Sequence, residues 1–515
     1  MLISMVIVSV VILCNFNSYA QQPSTGYSRN VLSPLEKKLN ERLVNEHSNI
    51  QPAAHNLDSS FFLLTDSSYA IRRYKNSIDI NPIGDIAGGF QFQRKQQAIG
   101  RLAAGVDMRY NYSNKLHAQI GYSLQGAMPA QYLGELSDSL RIQPGVGYAI
   151  GDGNNMYHSH YTYGNLSYFT GKHFHFEVGK GKHFWGDGYR SLILSDVANA
   201  YPYARITTQF WRIKYTNLWA QMRDISAGQL LKNARKKYVA LHALSWNVGK
   251  QFNWSIYEMV VWQDRDSNST RTLDMNYLNP VIFYRPVEYS QGSPDNVILA
   301  TSVRYKMTPR LQLYGQLVVD EFLLNEYKKK TNWWGNKFGG QFGLKAYDIF
   351  TPNLHFQIEV NAVRPFTYTH GSPIQAWGHL NQPLAHPMGA NFAELMFFAR
   401  YDYNLWSFTE QFSWAAFGRD RDKDEDGIID NFGGDIFRSY ENPFETYNND
   451  LQQGLKTTFH YQEFTAVRRL KKESPFEVYG TYVMRFSNNE FQSTLDHLIM
   501  AGIRVTGMLQ PQRDF

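Results

Sequence analysis

The sequence predicts an all-β fold: a transmembrane antiparallel β-barrel of about 16–18 strands, preceded by a short N-terminal periplasmic helical segment. Three observations carry that expectation. Turn-forming clusters are repeatedly followed by strict alternation of apolar and polar residues. No segment after the N-terminus approaches the roughly 18 consecutive apolar residues of a spanning helix. The chain also opens on a segment that reads as an export signal.

In chain order, Leu2 to Leu13 is an apolar run of signal-peptide length, although no Lys or Arg precedes it, and Ser18-Tyr19-Ala20 before Gln21 is an A-x-A-like cleavage site. Residues 1–20 are therefore expected to be a signal peptide. Leu13 is too bulky to precede a lipidated cysteine, which favours cleavage near Ala20 over lipid attachment at Cys14. Cys14 is the only cysteine, so no disulfide framework can form. Residues 21–85 read as an N-terminal periplasmic segment. Within it Ser33-Pro34-Leu35-Glu36 is a capping box with proline at the first helical position, and Leu35, Leu39 and Leu43 follow on one face. This predicts a short amphipathic helix to about residue 47. It either caps the periplasmic mouth or meets a periplasmic partner.

Residues 86–515 read as the barrel. After Ser113-Asn114-Lys115, Leu116, Ala118, Ile120, Tyr122 and Leu124 alternate with His117, Gln119, Ser123 and Gln125. After Thr351-Pro352-Asn353, Leu354, Phe356, Ile358 and Val360 alternate with His355, Gln357, Glu359 and Asn361. Comparable runs follow Thr308-Pro309 and Ser474-Pro475. A period of two gives each strand two unlike faces, which fits a soluble sandwich with an apolar core or a barrel with lipid outside. The export signal, the aromatic content (34 Tyr, 33 Phe and 11 Trp) and a mean hydropathy of −0.43 favour the barrel, because lumen and loops dilute its lipid-facing half.

Short turns are expected near Ser113, Gly171-Lys172, Thr216-Asn217, Gly249-Lys250, Thr308-Pro309, Thr351-Pro352, Tyr403-Asn404 and Ser474-Pro475. Two strands per turn give about 16, and one more at each end gives about 18. The excess length falls in long outer loops, the largest at Gln263 to Val297, Tyr368 to Phe392 and Ala415 to Asp450. Glu258 and Glu410 share parity with the apolar faces around them, which calls for a bulge or a different register. Arg223, Glu359, Asn361, Glu477 and Arg485 are placed on the lumen face. Phe515 is a terminal aromatic of the kind outer-membrane barrels favour, with alternation ending near Met508.

The 51 basic and 45 acidic residues are spread along the chain, which excludes a nucleic-acid footprint. His158/His160 and His173/His175 have no Cys or clear carboxylate partner for a closed zinc site. Gly179-Lys180-Gly181 lacks the spacing of a phosphate loop, and no nucleophile elbow is present. The chain is not expected to be an enzyme.

The segment Gly179-Lys180-Gly181-Lys182-His183-Phe184-Trp185-Gly186-Asp187-Gly188-Tyr189-Arg190-Ser191-Leu192-Ile193-Leu194-Ser195-Asp196, followed by Asn199-Ala200-Tyr201-Pro202, resembles the central signature of the Wzi-type capsule-assembly family. The segment Leu278-Asn279-Pro280-Val281-Ile282-Phe283-Tyr284-Arg285-Pro286-Val287-Glu288-Tyr289 looks like a branch of the same superfamily that includes RemB-type gliding-motility proteins. The resemblance implies an outer-membrane lectin barrel that holds capsular polysaccharide at the cell surface, with the outer-membrane bilayer and surface polysaccharide as partners and other envelope proteins as further candidates.

Sugars are held by aromatic faces stacked on C–H-rich rings, with polar planar groups reading hydroxyls and Arg pairing with uronates. Trp185, Asp187, Tyr189 and Arg190 offer that mixture in one loop, and Arg285, Glu288 and Tyr289 in another. Trp185 and Tyr189 equally suit an interfacial aromatic girdle, with Gly186 and Gly188 as turn residues. Asp422, Asp424, Asp426 and Asp430, with Gly427, match positions 1, 3, 5, 9 and 6 of a calcium loop, while Gly433 replaces the Glu of position 12. Weak Ca2+ binding and a merely solvated acidic loop both fit; no cofactor is required. Three functional classes follow: a polysaccharide-anchoring lectin barrel, a structural barrel of motility or secretion machinery, and a passive channel.

Overall fold

A strand with one apolar and one polar face leaves neither face nor edge satisfied alone, and closing the sheet on itself answers both. In the computed structural model, 18 antiparallel strands form one closed barrel. The structure describes residues 50–52, 76–93, 96–113, 115–148, 150–151, 155–171, 173–225, 234–265, 271, 274–280, 295–471 and 474–505. The expected signal peptide, the capping-box helix, the chain terminus at Phe515, and Arg285, Glu288 and Tyr289 lie outside these residues.

The strands are β1 (Ser77–Gln93), β2 (Gln97–Tyr112), β3 (Leu116–Met128), β4 (Tyr157–Thr170), β5 (Phe174–Gly181) and β6 (Tyr201–Phe210). They continue as β7 (Ile213–Asp224), β8 (Arg235–Asn247), β9 (Phe252–Gln263), β10 (Asn296–Thr308), β11 (Leu311–Glu321) and β12 (Lys337–Ala346). The last are β13 (Leu354–Val363), β14 (Phe392–Tyr403), β15 (Trp406–Arg419), β16 (Leu455–Arg469), β17 (Phe476–Asn488) and β18 (Ser493–Val505). Each pairs with its neighbours in sequence, and β1 closes on β18 from Gly84↔Val505 to Gln93↔Asp496. β1 begins at Ser77, nine residues ahead of the expected barrel start.

Eight short turns at one end join β2 to β3, β4 to β5 and so on to β16 and β17, while β1 and β18 supply the extra strand at each end of the chain. Seven of the expected turns fall where the sequence puts them. The eighth is corrected: Thr216 and Asn217 lie inside β7, paired with Ala243 and His242, and the turn is Trp211-Arg212. Trp211 takes a left-handed φ of 53°, a conformation that nothing in a Trp-Arg pair announces.

The outward parity is apolar and exposed over the barrel wall, for example Ile86, Leu102, Ile120, Leu124, Val178, Leu317, Phe342, Ile358, Val360, Phe464, Ile499 and Ile503. An apolar belt of that extent is compatible with hydrocarbon and not with water, and it places the chain in the outer membrane. Glu258 and Glu410 stay on this outward parity, since the ladders around them run without a shift. Glu258 is buried opposite His242, which pairs with Tyr215 at 2.6 Å, and Glu410 accepts a hydrogen bond from Gln462 at 2.6 Å. No bulge is needed because each carboxylate has polar company on the wall. Arg223 is also corrected: it shares parity with Tyr215 and Trp219, facing outward near the long-loop end, whereas Glu359, Asn361, Glu477 and Arg485 face the lumen.

The long connections gather at the opposite end, which is therefore extracellular. Helix α1 (Gln131–Leu140), in the β3–β4 connection, packs Tyr132 and Leu133 against Phe459, Tyr461, Val483 and Leu498 of the inner wall. The β5–β6 connection, the β13–β14 connection and Ile436 of the β15–β16 connection share a second core with β6 to β11. That core includes Trp185, Leu192, Leu194, Tyr368, Trp377 and Leu384. The outer part of the lumen is thus filled by a plug made of its own loops.

Candidate functional site

The signature segment forms the centre of this plug. β5 ends at Gly181, and the chain turns inward instead of out over the membrane. Lys182 donates to the carbonyls of Gly145 (2.6 Å) and Asp196 (3.1 Å), and its burial pulls its pKa down to about 8. His183 to Trp185 pair antiparallel with Ile50 to Pro52, so a piece of the N-terminal segment joins the plug. Burial holds His183 neutral, with a pKa of about 3.

Trp185 is fully buried and stacks on Tyr257 of β9 at 5.7 Å. Asp187 pairs with Arg304 of β10 at 3.1 Å. The backbone N–H groups of Tyr189 and Arg190 donate to the two oxygens of Glu359 at 2.7 and 3.0 Å, and Tyr314 donates to the same carboxylate at 2.8 Å. The Arg190 guanidinium reaches Glu394 of β14 at 3.3 Å. Glu394 is also held by His386 (2.7 Å), Ser413 (3.0 Å) and Asn361 (3.2 Å). Desolvation lowers the His386 pKa, opposed by its carboxylate partner.

The glycines fit because nothing larger would. A Cβ on Gly188 would lie 2.4 Å from a Glu359 oxygen, and one on Gly186, at φ +141°, 2.1 Å from Gln316 Nε2. Gln316 Oε1 accepts from Leu192 N–H at 2.8 Å while its amide donates to the Trp185 carbonyl at 3.0 Å. Tyr368 donates to the Leu192 carbonyl (2.7 Å) and Trp377 to that of Ile193 (2.8 Å). Ser195 binds the backbone of Leu384 and Ala385.

Trp185, Asp187, Tyr189 and Arg190 are therefore brought together, but inside the barrel, with the Asp187 carboxylate, the Arg190 guanidinium and the Tyr189 and Arg190 backbone N–H groups bonded to the wall. Irregular backbone at membrane depth is tolerable only on such terms. Gln341 donates to the Arg190 carbonyl at 2.9 Å, and it joins Arg304, Tyr314, Gln316, Glu359, Glu394 and His386 in a holding group that the sequence does not single out. For all but His386, which lies in the β13–β14 connection, the signal is polarity on the inward parity of β10 to β14.

The acidic loop is separate and exposed on the extracellular side. Asp422 accepts from Asp426 N–H (3.1 Å) and Gly427 N–H (2.8 Å), Asp430 from Lys423 N–H (2.8 Å), and Asp426 from Ile428 N–H (2.8 Å). Gly427 takes φ +85° at the turn. Among the described residues no three His, Cys, Asp or Glu side chains converge as a metal cage. Asp424 stands exposed at the tip.

No family model matches the chain, and no curated protein matches it by sequence. Among solved structures it is similar to Wzi of Escherichia coli, described as an outer-membrane, carbohydrate-binding β-barrel involved in group 1 capsule assembly. The identity is 12% and the TM-score 0.56, over 94% of this chain and 100% of that one. Pseudomonas aeruginosa OccK8 (OprE) is 7% identical at a TM-score of 0.44, covering 83% of this chain and 97% of its own. Acinetobacter baumannii OccAB4 is 8% identical at 0.44, covering 84% and 98%. The chain is an outer-membrane β-barrel with a fold similar to that of Wzi.

Proposed function

We propose that this chain is a non-enzymatic outer-membrane barrel that binds and anchors capsular or other surface polysaccharide, as a relative of the Wzi-type barrels. The observation that supports the reading best is the plug: the segment resembling the Wzi signature is built into the wall by buried ion pairs and fills the outer lumen. A lumen so filled suits a rigid binding platform better than a conduit. In this reading Trp185, Asp187, Tyr189 and Arg190 serve polysaccharide binding from within, fixing the floor on which the outer loops are mounted. Arg285, Glu288 and Tyr289 are carried as sugar contacts on the β9–β10 connection.

The test is the partition of surface polymer between cells and medium in a deletion strain, with total polymer quantified. Polymer shifted to the medium at unchanged total is expected, and complementation by Trp185→Ala or Arg190→Ala should restore retention only in part. Unchanged retention in the deletion strain would sink the proposal. A second reading, a structural barrel of motility or secretion machinery related to the RemB-type branch, draws support from the pairing of Ile50–Pro52 with the plug, which ties the N-terminal segment to the barrel interior. A stoichiometric envelope protein co-purifying with the full chain, and lost when residues 21–49 are removed, would favour it.

A further inference from the structure

The β11–β12 connection carries the six-residue helix α2 (Leu324–Lys329), whose residues are all outside the core. Phe322, Leu323, Leu324 and Tyr327 are 44–56% exposed, an apolar patch at the extracellular end of the barrel. Its orientation is fixed by β12. Lys337 points inward, its ammonium 4.1 Å from the ring of Tyr440, so the next residue, Phe338, points outward. Phe322 and Tyr327 pack on Phe338 at 6.0 and 6.3 Å and on each other at 5.4 Å. The patch therefore continues the lipid-facing wall of Leu317 and Phe342 upward, beyond the last ladder pair. It ends in Lys328, Lys329 and Lys330, all exposed, of which Lys329 is tied to Glu326 at 2.8 Å.

Aromatic and leucine side chains beside a basic run are what the boundary between acyl chains and headgroups accommodates. We propose that α2 is a lipid-anchoring element: Phe322, Leu323, Leu324 and Tyr327 seat at the acyl boundary of the outer leaflet, and Lys328 and Lys330 bind the phosphates of an anionic, phosphate-bearing glycolipid there. Continuity with the lipid-facing belt sets the depth, and Lys328 and Lys330 set the charge of the headgroup.

The experiment uses the full-length barrel purified in a neutral detergent, with native mass spectrometry counting retained lipid. The probes are a diphosphorylated outer-leaflet glycolipid and its dephosphorylated counterpart. Wild type should retain the phosphorylated form preferentially. An ammonium near an anionic surface contributes about 1 kcal/mol, so Lys328→Gln/Lys330→Gln should weaken retention about thirty-fold. Lys250→Gln, at the opposite end, should leave retention as in wild type. Retention by the double variant equal to wild type, equal retention of both lipids by wild type, or displacement of the lipid by inorganic phosphate at matched concentration would each overturn the proposal.

Discussion

Replacing Arg190 with alanine leaves Glu394 buried in the inner wall without its guanidinium. Removing one partner of a buried pair costs about 3–5 kcal/mol, because the remaining charge has lost its compensation in a medium that solvates it poorly. Here Glu394 keeps His386, Ser413 and Asn361 as hydrogen-bond donors at 2.7–3.2 Å, so the lower end, about 3 kcal/mol, is expected. That energy stabilises the packed plug against its displaced form, so the displaced population should rise by about two orders of magnitude. The assay is thiol labelling of Ala198→Cys, a buried plug position, in a Cys14→Ser background so that the introduced thiol is the only one. Labelling should be slow in the parent and about a hundred-fold faster with Arg190→Ala. Adding Glu394→Gln, which removes the stranded charge, should recover a large part of the difference. Equal labelling rates with and without Arg190, in a barrel that still closes, would refute the claim that this ion pair locks the plug.

Acid should loosen the plug. Burial holds His183 and His379 at pKa values of about 3 and His370 at about 4, below the ordinary 6.5. Between those values and 6.5 the displaced plug binds more protons than the packed one, so the histidines' contribution to plug stability is full above pH 6.5 and falls as pH drops. At pH 5 the loss should be on the order of 1–2 kcal/mol per histidine, read as faster Ala198→Cys labelling; a flat profile from pH 7 to 5 would contradict it. Gly188→Ala should displace the Glu359 carboxylate from Tyr189 and Arg190, costing about 2–4 kcal/mol, with hydrogen exchange at those two amides as the readout. Calcium at millimolar levels should protect the 420–454 connection from proteolysis if the acidic loop binds it, and Asp426→Asn should abolish that protection. Protection surviving the substitution would rule out the loop as the site.

The wall of this protein was legible in the sequence because its determinants are local. Side chains alternate across a strand as a matter of covalent geometry, and Pro, Gly and Asn mark most of the turns. Eight turns with a strand added at each end give the observed barrel, even though one turn lay five residues from its expected place. There the chain reverses at Trp211-Arg212, a pair without turn residues, held by its flanking ladders. Glu258 and Glu410 looked like errors of register for the same local reason. Parity was right, and what reconciled it was the cross-strand company of His242 and Gln462.

What the sequence alone determined is therefore the repeating half of the molecule: strands, turns, the two unlike faces and their strand count. The tertiary structure decided the direction of the loops. Trp185 to Arg190 read equally well as a sugar-facing loop or an interfacial girdle, and they lie instead at the heart of the plug. Their positions depend on groups far along the chain, Arg190 on Glu394 at a separation of 204 residues and Tyr189 on Glu359 at 170. No local period encodes such pairs. Only closing the barrel brings those carboxylates to one wall, where the inward-folded loop supplies donors to both.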